Sequence, residues 1–471
     1  MFGIGAPLTF LLIFCILSAF AFEFINGFHD TANAVATVIY SNALKPGVAV
    51  LWSGIWNFIG VNIGGIAVAI GIVNLLPVEA LTDSNIYHNL AMIMALIITA
   101  ILWNLGTWYL GIPCSSSHTL IGSIAGVSIV YILLPGNHNI TFNWGKVTDA
   151  GLSLLISPVI GFLLAVFFMY FLRKLVKNKT IFKEAPSKKA PPLWVRSILI
   201  LTSTFVSFSH GSNDGQKGIG LMMIILISIV PMEFALDHSK HPVALRQNVE
   251  QMKILSSRIH AGDSENEVRM ELENVTICLD SLNKRLSGIH SFDDMNRNGF
   301  VNTRKDILIL SKQSRLLLAD LEVNDVRAVT QDWFKAFSFQ IKQIRTYTEY
   351  SPWWVILMIS LALGLGTMIG WKRIVVTIGE KIGKSHLNYA QGATANLIAA
   401  STITVSSMMG LPVSTTHVLS SGVAGTMVSG LGLKNLQTKT LAAIGIAWLI
   451  TIPVTMLLSG VLFMIFRLLI A

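Results

Sequence analysis

Gly27-Phe-His-Asp-Thr-Ala-Asn-Ala34 is matched later in the chain by Gly211-Ser-Asn-Asp-Gly-Gln-Lys-Gly218. Each stretch places an aspartate, Asp30 or Asp214, three residues after a glycine and beside a long apolar run. An ionised side chain in hydrocarbon costs about 3 kcal/mol or more, so a carboxylate in such a run indicates a functional site. The glycines also permit a locally unwound helix.

A second pair of matching stretches follows the first pair in the same order. Ile112-Pro-Cys-Ser-Ser-Ser-His118 is matched by Leu411-Pro-Val-Ser-Thr-Thr-His417. The aspartate and the final histidine lie 88 residues apart in the first half and 203 apart in the second. The excess of 115 is close to the length of a polar segment, 232–351. The chain is therefore predicted to contain a duplication, with an insertion in its second copy.

The composition is typical of a membrane protein. Hydrophobic residues make up 53% of the 471 and charged residues only 13%, whereas soluble domains are about 25% charged. Several apolar runs reach the length of about 20 residues that spans a bilayer. These runs are Leu8–Phe22, Val48–Leu76, Leu90–Leu110, Leu152–Leu172, Ile198–Pro231, Trp353–Ile369 and Thr440–Phe466.

The net charge of +9 does not indicate a nucleic-acid partner, because the basic excess lies outside the polar segment. Residues 232–351 hold 16 basic and 17 acidic side chains, which leaves 18 basic and 8 acidic in the rest. Seven basic residues fall between Arg173 and Lys189, and a second cluster lies between Lys372 and Lys384. Short basic loops are expected on the cytoplasmic side.

The polar segment is predicted to form a small helical domain outside the membrane, because its apolar residues recur at helical spacing. It is either a spacer that stabilises the protein or a regulatory or partner-binding module. One crossing by Trp353–Ile369 would place it on the periplasmic side. The predicted divisions are 1–172 for the first membrane repeat, 173–193 for a cytoplasmic loop, 194–231 for the start of the second repeat, 232–351 for the insertion and 352–471 for the remainder.

A duplicated membrane chain with polar, glycine-interrupted motifs at matching positions is typical of a secondary transporter. We predict an all-α membrane protein in which discontinuous helices from two inverted halves meet near the midplane. Asp30 and Asp214 could bind a coupling cation or a proton, and Asn33 and Lys217 follow them at helical spacing. The alternatives are a structural polar network for the aspartates and, for Lys217, a side chain that extends to the membrane interface.

The second motif predicts an anion site. Hydroxyl side chains after a turn are favoured helix N-caps, and a helix N-terminus offers unpaired N–H groups and a positive dipole. Two such ends could surround a tetrahedral oxyanion; the alternative is ordinary capping of two buried helices. The hydroxyls concerned are Ser115, Ser116, Ser117, Ser414, Thr415 and Thr416. We predict no catalytic residue, and no metal-ligand spacing is evident.

The motifs resemble those of the Pit family of inorganic phosphate transporters, specifically its bacterial low-affinity members. The resemblance covers essentially the whole membrane part and keeps the family's order. It rests on Phe24-Ile-Asn-Gly-Phe-His-Asp-Thr-Ala-Asn-Ala-Val-Ala-Thr-Val-Ile-Tyr40, His210-Gly-Ser-Asn-Asp-Gly-Gln-Lys-Gly-Ile-Gly220, Gly379-Glu-Lys-Ile-Gly-Lys384 and Gly410-Leu-Pro-Val-Ser-Thr-Thr-His-Val-Leu-Ser-Ser421.

The resemblance implies about 10–12 membrane helices and two re-entrant hairpins whose tips hold phosphate, with Asp30, Asn33 and Asp214 nearby. Animal members have glutamates where this chain has Asn57 and Asn396, so the resemblance favours proton symport over sodium. It also implies the bacterial inner membrane, a divalent metal carried with the phosphate as an option, and no tightly bound cofactor. A homodimer is one option for its assembly.

Other functions are weaker fits to the sequence. Sulfate is an alternative substrate, because hydroxyls and helix dipoles do not by themselves separate two oxyanions. A membrane phosphatase would need an activated nucleophile or a metal site, so an enzyme is not expected. A sensor that signals through 232–351 would need an output motif, and we recognise none in the sequence.

Overall fold

The computed structural model describes residues 4–81, 83, 85–137, 140, 144–182, 190–259, 266–323 and 330–470. All the regular secondary-structure elements in these residues are helices. The helices are α1 (Ala6–Tyr40), α2 (Pro46–Ile63), α3 (Ala67–Val73), α4 (Val78–Leu81), α5 (Ile86–Tyr109), α6 (Ser116–Leu133), α7 (Trp144–Leu175), α8 (Leu193–Ile229), α9 (Pro231–Phe234), α10 (Pro242–Ser256), α11 (Asn266–Leu286), α12 (Arg297–Val323), α13 (Gln331–Arg345), α14 (Trp353–Thr367), α15 (Lys372–Glu380), α16 (Tyr389–Met408), α17 (Thr415–Leu431) and α18 (Thr438–Ile470). The predicted all-α membrane class is confirmed.

Six described helices are long and apolar enough to cross a membrane: α1, α2, α5, α6, α7 and α18. A seventh span is possible if α14 and α15, which meet at a bend of 65°, are one broken span. The helix α8 has 37 residues, but the polar side chains of the repeated motif interrupt its apolar run. The larger count of 10–12 membrane helices stays a prediction.

The chain divides into two compact units. One unit, here called the membrane unit, comprises Gly5–Pro77, Tyr87–Ile225 and Ser351–Ala471. The other contains Leu226–Tyr350 together with Val78–Ile86, so it takes in a short piece of the first half as well as the insertion. The boundaries given above for the repeats stay predictions.

Within the second unit, the two ends of the insertion are held together by hydrogen bonds. The buried Arg304 of α12 donates from Nη1 to the carbonyls of Ala235, at 2.9 Å, and Thr348, at 3.2 Å. The backbone N–H of Asp237 donates to the carbonyl of Tyr347 at 2.9 Å. Burial lowers the pKa of the Arg304 guanidinium to about 10, which leaves it charged at neutral pH. The insertion thus begins and ends at adjacent points.

In the membrane unit, α1 packs against α14 through glycines. A Cβ on Gly27 would lie 2.5 Å from the carbonyl oxygen of Leu363, and one on Gly366 would overlap the carbonyl of Phe24. Such small residues let two helix backbones approach closely without side chains between them. Gly27 stands three residues before Asp30, so this contact fixes the position of Asp30 relative to α14.

The second copy of the aspartate motif, Gly211–Gly218, is fixed by the same kind of contact, between α2 and α8. A Cβ on Gly211 would overlap the carbonyl of Asn57, and one on Gly60 would overlap the carbonyl of Phe208. Gly211 holds the place in the second motif that Gly27 holds in the first. In both halves, the glycine three residues before the aspartate therefore lies against the backbone of a neighbouring helix. Their inverted relation stays a prediction.

The long helices α7 and α18 each contain a proline, Pro158 and Pro453. Both helices pack against the short helices that follow the serine- and threonine-rich motifs, α17 on α7 and α6 on α18. Gly126 of α6 makes the second contact close, because a Cβ there would overlap the carbonyl of Met456. These contacts fix α6 and α17 inside the unit.

Replacement of Gly126 by alanine should lower the free energy of unfolding by about 1–3 kcal/mol, the usual cost of overpacking. The control is Gly445→Ala in α18, where an added Cβ meets nothing within 4 Å. Thermal unfolding of the purified protein in detergent measures both. Equal stability of the two variants would contradict the close approach of α6 and α18.

Candidate functional site

Two short helices begin at the hydroxyl clusters. Ser115 is the N-cap of α6 and Ser414 the N-cap of α17, both with extended backbone. Their side chains accept hydrogen bonds from the backbone N–H groups of His118, at 3.2 Å, and His417, at 3.1 Å. Ser115 and Ser414 therefore cap these helices, which was the alternative to anion binding for the hydroxyl clusters. The positive ends of both helix dipoles lie at these caps.

The two helix ends lie against each other. Ser117 Oγ of the first cluster donates to the carbonyl of Val413, beside the second cluster, at 2.7 Å. The rings of His118 and His417 have their centroids 4.5 Å apart. Side chains separated by about 300 residues in the chain thus meet, as the duplication predicted.

Both aspartates face hydroxyls of these helix ends. Asp30 accepts from Thr416 Oγ1 at 2.8 Å, and its second oxygen accepts from Thr415 Oγ1 at 3.4 Å and Ser116 Oγ at 3.5 Å. The same Ser116 hydroxyl is 3.3 Å from Asp214 Oδ2. All five side chains are buried, at no more than 2% exposure. The structure thus brings four predicted regions, α1, α6, α8 and α17, to one polar cluster.

Two histidines, His29 and His210, complete the cluster. His29 Nδ1 is 2.8 Å from Asp30 Oδ1. His210 Nε2 lies 3.8 Å from Asp30 Oδ2 and 3.6 Å from Asp214 Oδ2. His210 precedes Asp214 by four residues, which places both on one helix face. That spacing was the available signal for His210.

Asp30, His210 and Asp214 could together hold a metal ion. One ligand atom from each lies within 4.8 Å of the other two, and all three residues are buried. Imidazole and carboxylate ligands suit divalent transition metals such as Mn²⁺ or Zn²⁺ better than they suit sodium. The sequence spacing gave no sign of this group, because its members come from two helices in different halves.

Lys217 belongs to the cluster and does not extend to the membrane interface. Its side chain is fully buried, and Nζ lies 2.7 Å from Asp214 Oδ1. Nζ also donates to the carbonyl of Val413 at 3.4 Å. The ion pair gives Asp214 a fixed positive partner, whereas histidines flank Asp30. The remaining predicted residue, Asn33, has a side chain that lies outside the described part of the structure.

Comparisons with known proteins bear on this arrangement. A family model described as "Phosphate transporter family" matches residues 26–459. The chain is 41% identical to the low-affinity inorganic phosphate transporter of Buchnera aphidicola, over 97% of this chain and 96% of that protein. It is 38% identical to the low-affinity inorganic phosphate transporter PitA of Escherichia coli K12, over 98% and 97%.

A solved structure shows a similar fold. It is titled "The sodium-dependent phosphate transporter", is 20% identical to this chain and superposes with a TM-score of 0.53. The match covers 97% of this chain and 99% of that one. At this identity the likeness supports the fold alone.

Replacement of Lys217 by methionine should destabilise the protein by about 3–5 kcal/mol, because it leaves the buried Asp214 carboxylate without its cation. Thermal unfolding in detergent is the measurement. The double variant Lys217→Met with Asp214→Asn should recover more than half of the loss, since no unpaired charge remains. A single variant as stable as the unchanged protein would show that this ion pair is not part of the native core.

Proposed function

Because the chain belongs to the phosphate transporter family, we propose that it imports inorganic phosphate across the bacterial inner membrane by proton symport. It is a multi-pass membrane protein, and its relatives are transporters, so it is not an enzyme. The hypothesis of a membrane phosphatase is therefore dropped. The proposal includes the direction of import, the proton as coupling ion and the inner membrane. The homodimer stays a prediction.

The observation that carries the coupling is the contact between the two carboxylates and the hydroxyls at the starts of α6 and α17. These two helix starts, with Ser116, Thr415 and Thr416, are here called the cradle. Ser116, Thr415 and Thr416 are hydrogen-bonded to Asp30, and Ser116 also to Asp214. A phosphate that uses these hydroxyls must lie close to both carboxylates. Two like charges about 4 Å apart repel by about 4 kcal/mol at an effective dielectric of 20. Anion binding at this place therefore requires an incoming positive charge.

The phosphate would take its hydrogen bonds from the N-terminal N–H groups of α6 and α17 and chiefly from the three hydroxyls that already face the carboxylates. Those three are Ser116, Thr415 and Thr416. Ser117 donates its O–H to Val413, whereas Ser115 and Ser414 accept as caps and keep their O–H groups as further donors. Helix N-termini bind oxyanions without arginine through aligned N–H groups and the dipole. Phosphate then competes with Asp30 for the same donors, which ties occupancy of the cradle to the charge beside it.

Two uncharged side chains, the amides of Asn57 and Asn396, favour the proton over sodium as the coupling ion. Asn57 Nδ2 donates to Thr367 Oγ1 at 2.9 Å, and its Oδ1 is 3.0 Å from His210 Nδ1. Asn396 Nδ2 donates to Thr37 Oγ1 at 2.7 Å. Where the animal relatives resembled above have glutamates, this chain has neutral groups engaged in hydrogen bonds. They add no negative charge that would hold a second cation.

A second form of the cargo is a neutral complex of phosphate with a divalent metal. The specific observation in its favour is the group of Asp30, His210 and Asp214, whose ligand atoms lie within 4.8 Å of one another. A metal there would supply the positive charge that the cradle needs and would travel as part of the substrate. Phosphate uptake after chelation, and after return of Mg²⁺ or Mn²⁺ alone, separates this cargo from free phosphate.

Asp30→Asn and Asp214→Asn should each lower phosphate uptake driven by a pH gradient by at least about tenfold, a coupling loss of about 1.4 kcal/mol. At both positions the amide keeps a hydrogen-bond acceptor and removes a carboxylate charge beside the phosphate site. Because Asp214→Asn also leaves the buried Lys217 without its partner, its thermal unfolding is measured alongside uptake. Labelled phosphate uptake into liposomes, with and without a sodium gradient, is the measurement.

The matched control is Asp149→Asn, which removes an exposed acid of α7. It should leave uptake unchanged. Wild-type uptake by both aspartate variants would remove these carboxylates from the mechanism, and uptake that follows the sodium gradient in the unchanged protein would replace the proton by sodium.

A further inference from the structure

A third buried acid lies outside the cluster that contains Asp30 and Asp214. Glu23 stands on α1, seven residues before Asp30, and its side chain is completely buried. Asn26 Nδ2 donates to Glu23 Oε1 at 3.2 Å. None of the described residues donates a hydrogen bond to Oε2. Glu23 lies outside the repeated motifs.

The neighbours of the Glu23 carboxyl come from three helices. Gly218 of α8 faces it so closely that an added Cβ would lie 2.5 Å from Oε2, and Ile359 of α14 lies beside the same point. No titratable side chain is present between Trp353 and Thr367 in α14. The charged groups that act on Glu23 are Asp214 and Lys217 on α8 and Asp30 on its own helix.

This environment suits a protonated carboxyl. A buried ionised oxygen without a hydrogen bond is costly, because the group loses its hydration and gains no partner. Asn26 Oδ1 is likewise a buried acceptor that receives no hydrogen bond within the described structure. A proton on Glu23 supplies the one donor that this pair of side chains lacks. Lys217, one residue before Gly218, offers the ionised form a positive charge in return.

We propose that Glu23 takes up the coupling proton, an inference that rests on the proposed proton symport. An O–H bond forms at Glu23 Oε2 with a proton from the outer solution and breaks when the proton leaves to the inside; no other bond changes. Protonation removes one negative charge near the cradle as phosphate brings at least one. Phosphate and proton therefore raise each other's affinity, as thermodynamic linkage requires of a symporter.

The competing explanation is that Glu23 and Asn26 form a neutral structural pair that only stabilises α1. The two explanations differ in coupling and agree in folding. A structural pair would tolerate glutamine, which keeps the size of glutamate and its hydrogen-bonding capacity. A proton carrier would not, because glutamine cannot release a proton.

The experiment compares Glu23→Gln with the unchanged protein in liposomes. Two rates of labelled phosphate entry are measured: uptake driven by an inside-alkaline pH gradient, and exchange at equal phosphate and pH on both sides. An internal pH dye follows proton entry. Glu23→Gln should lose at least about tenfold in gradient-driven uptake and lose proton entry with phosphate, while exchange stays within about twofold.

Two further variants make the result specific. Glu23→Asp retains a titratable carboxyl, so it should keep gradient-driven uptake with a shifted dependence on pH. Asp149→Asn should behave as the unchanged protein. If Glu23→Gln cannot be recovered folded, Glu23→Asp decides, and a pH dependence identical to that of the unchanged protein would overturn the inference.

The outcomes distinguish a failure of the proposed symport from a failure of the role of Glu23. Unchanged protein that carries phosphate without protons would refute the proposed symport, whatever Glu23 does. Unchanged protein that carries protons, together with a Glu23→Gln variant that carries them equally well, would refute the role of Glu23 and leave the symport standing.

Discussion

The contact on which the rest of the structure depends is the hydrogen bond between a carboxylate and a helix N-terminus from opposite halves of the chain. Thr416 Oγ1 donates to Asp30 Oδ1 at 2.8 Å, where α17 begins. A carboxylate and a phosphate accept hydrogen bonds from the same donors. Asp30 therefore already occupies hydroxyl donors that a phosphate would use. In the proposed symport, phosphate enters only if the charge beside it changes, and that requirement would be the physical origin of the coupling.

The charges around the cradle divide into a fixed part and an adjustable part. The ion pair of Lys217 and Asp214 is fully buried and fixed. Asp30 lies between two histidines, within reach of a cation held with His210 and Asp214. Among the residues that the structure describes, Glu23 has no hydrogen-bond donor at its second oxygen. A membrane interior penalises any unbalanced charge, so under the proposed symport these few side chains would limit which ions can accompany phosphate.

The sequence predicted the parts of the site that are local in the chain. The duplicated motifs, the starts of α6 and α17 and the burial of Asp30 and Asp214 follow from spacing, proline and hydroxyl clusters. What spacing could not show is which side chains meet across helices. His210 reaches Asp30 only because α8 packs beside α1, and the same packing places Gly218 against the carboxyl of Glu23. Of the six hydroxyls, two accept capping hydrogen bonds and one donates across the two helix ends, a distinction that only the geometry makes.

A structure of the protein with arsenate, a tetrahedral analogue of phosphate whose arsenic atom gives an anomalous X-ray signal, tests the shared cradle most directly. We expect one arsenic peak between the first turns of α6 and α17, within hydrogen-bonding reach of Ser116 and Thr415. A peak instead in the basic surface cavity lined by Lys372, Arg373 and Lys381, with none between the two helix ends, would contradict the account.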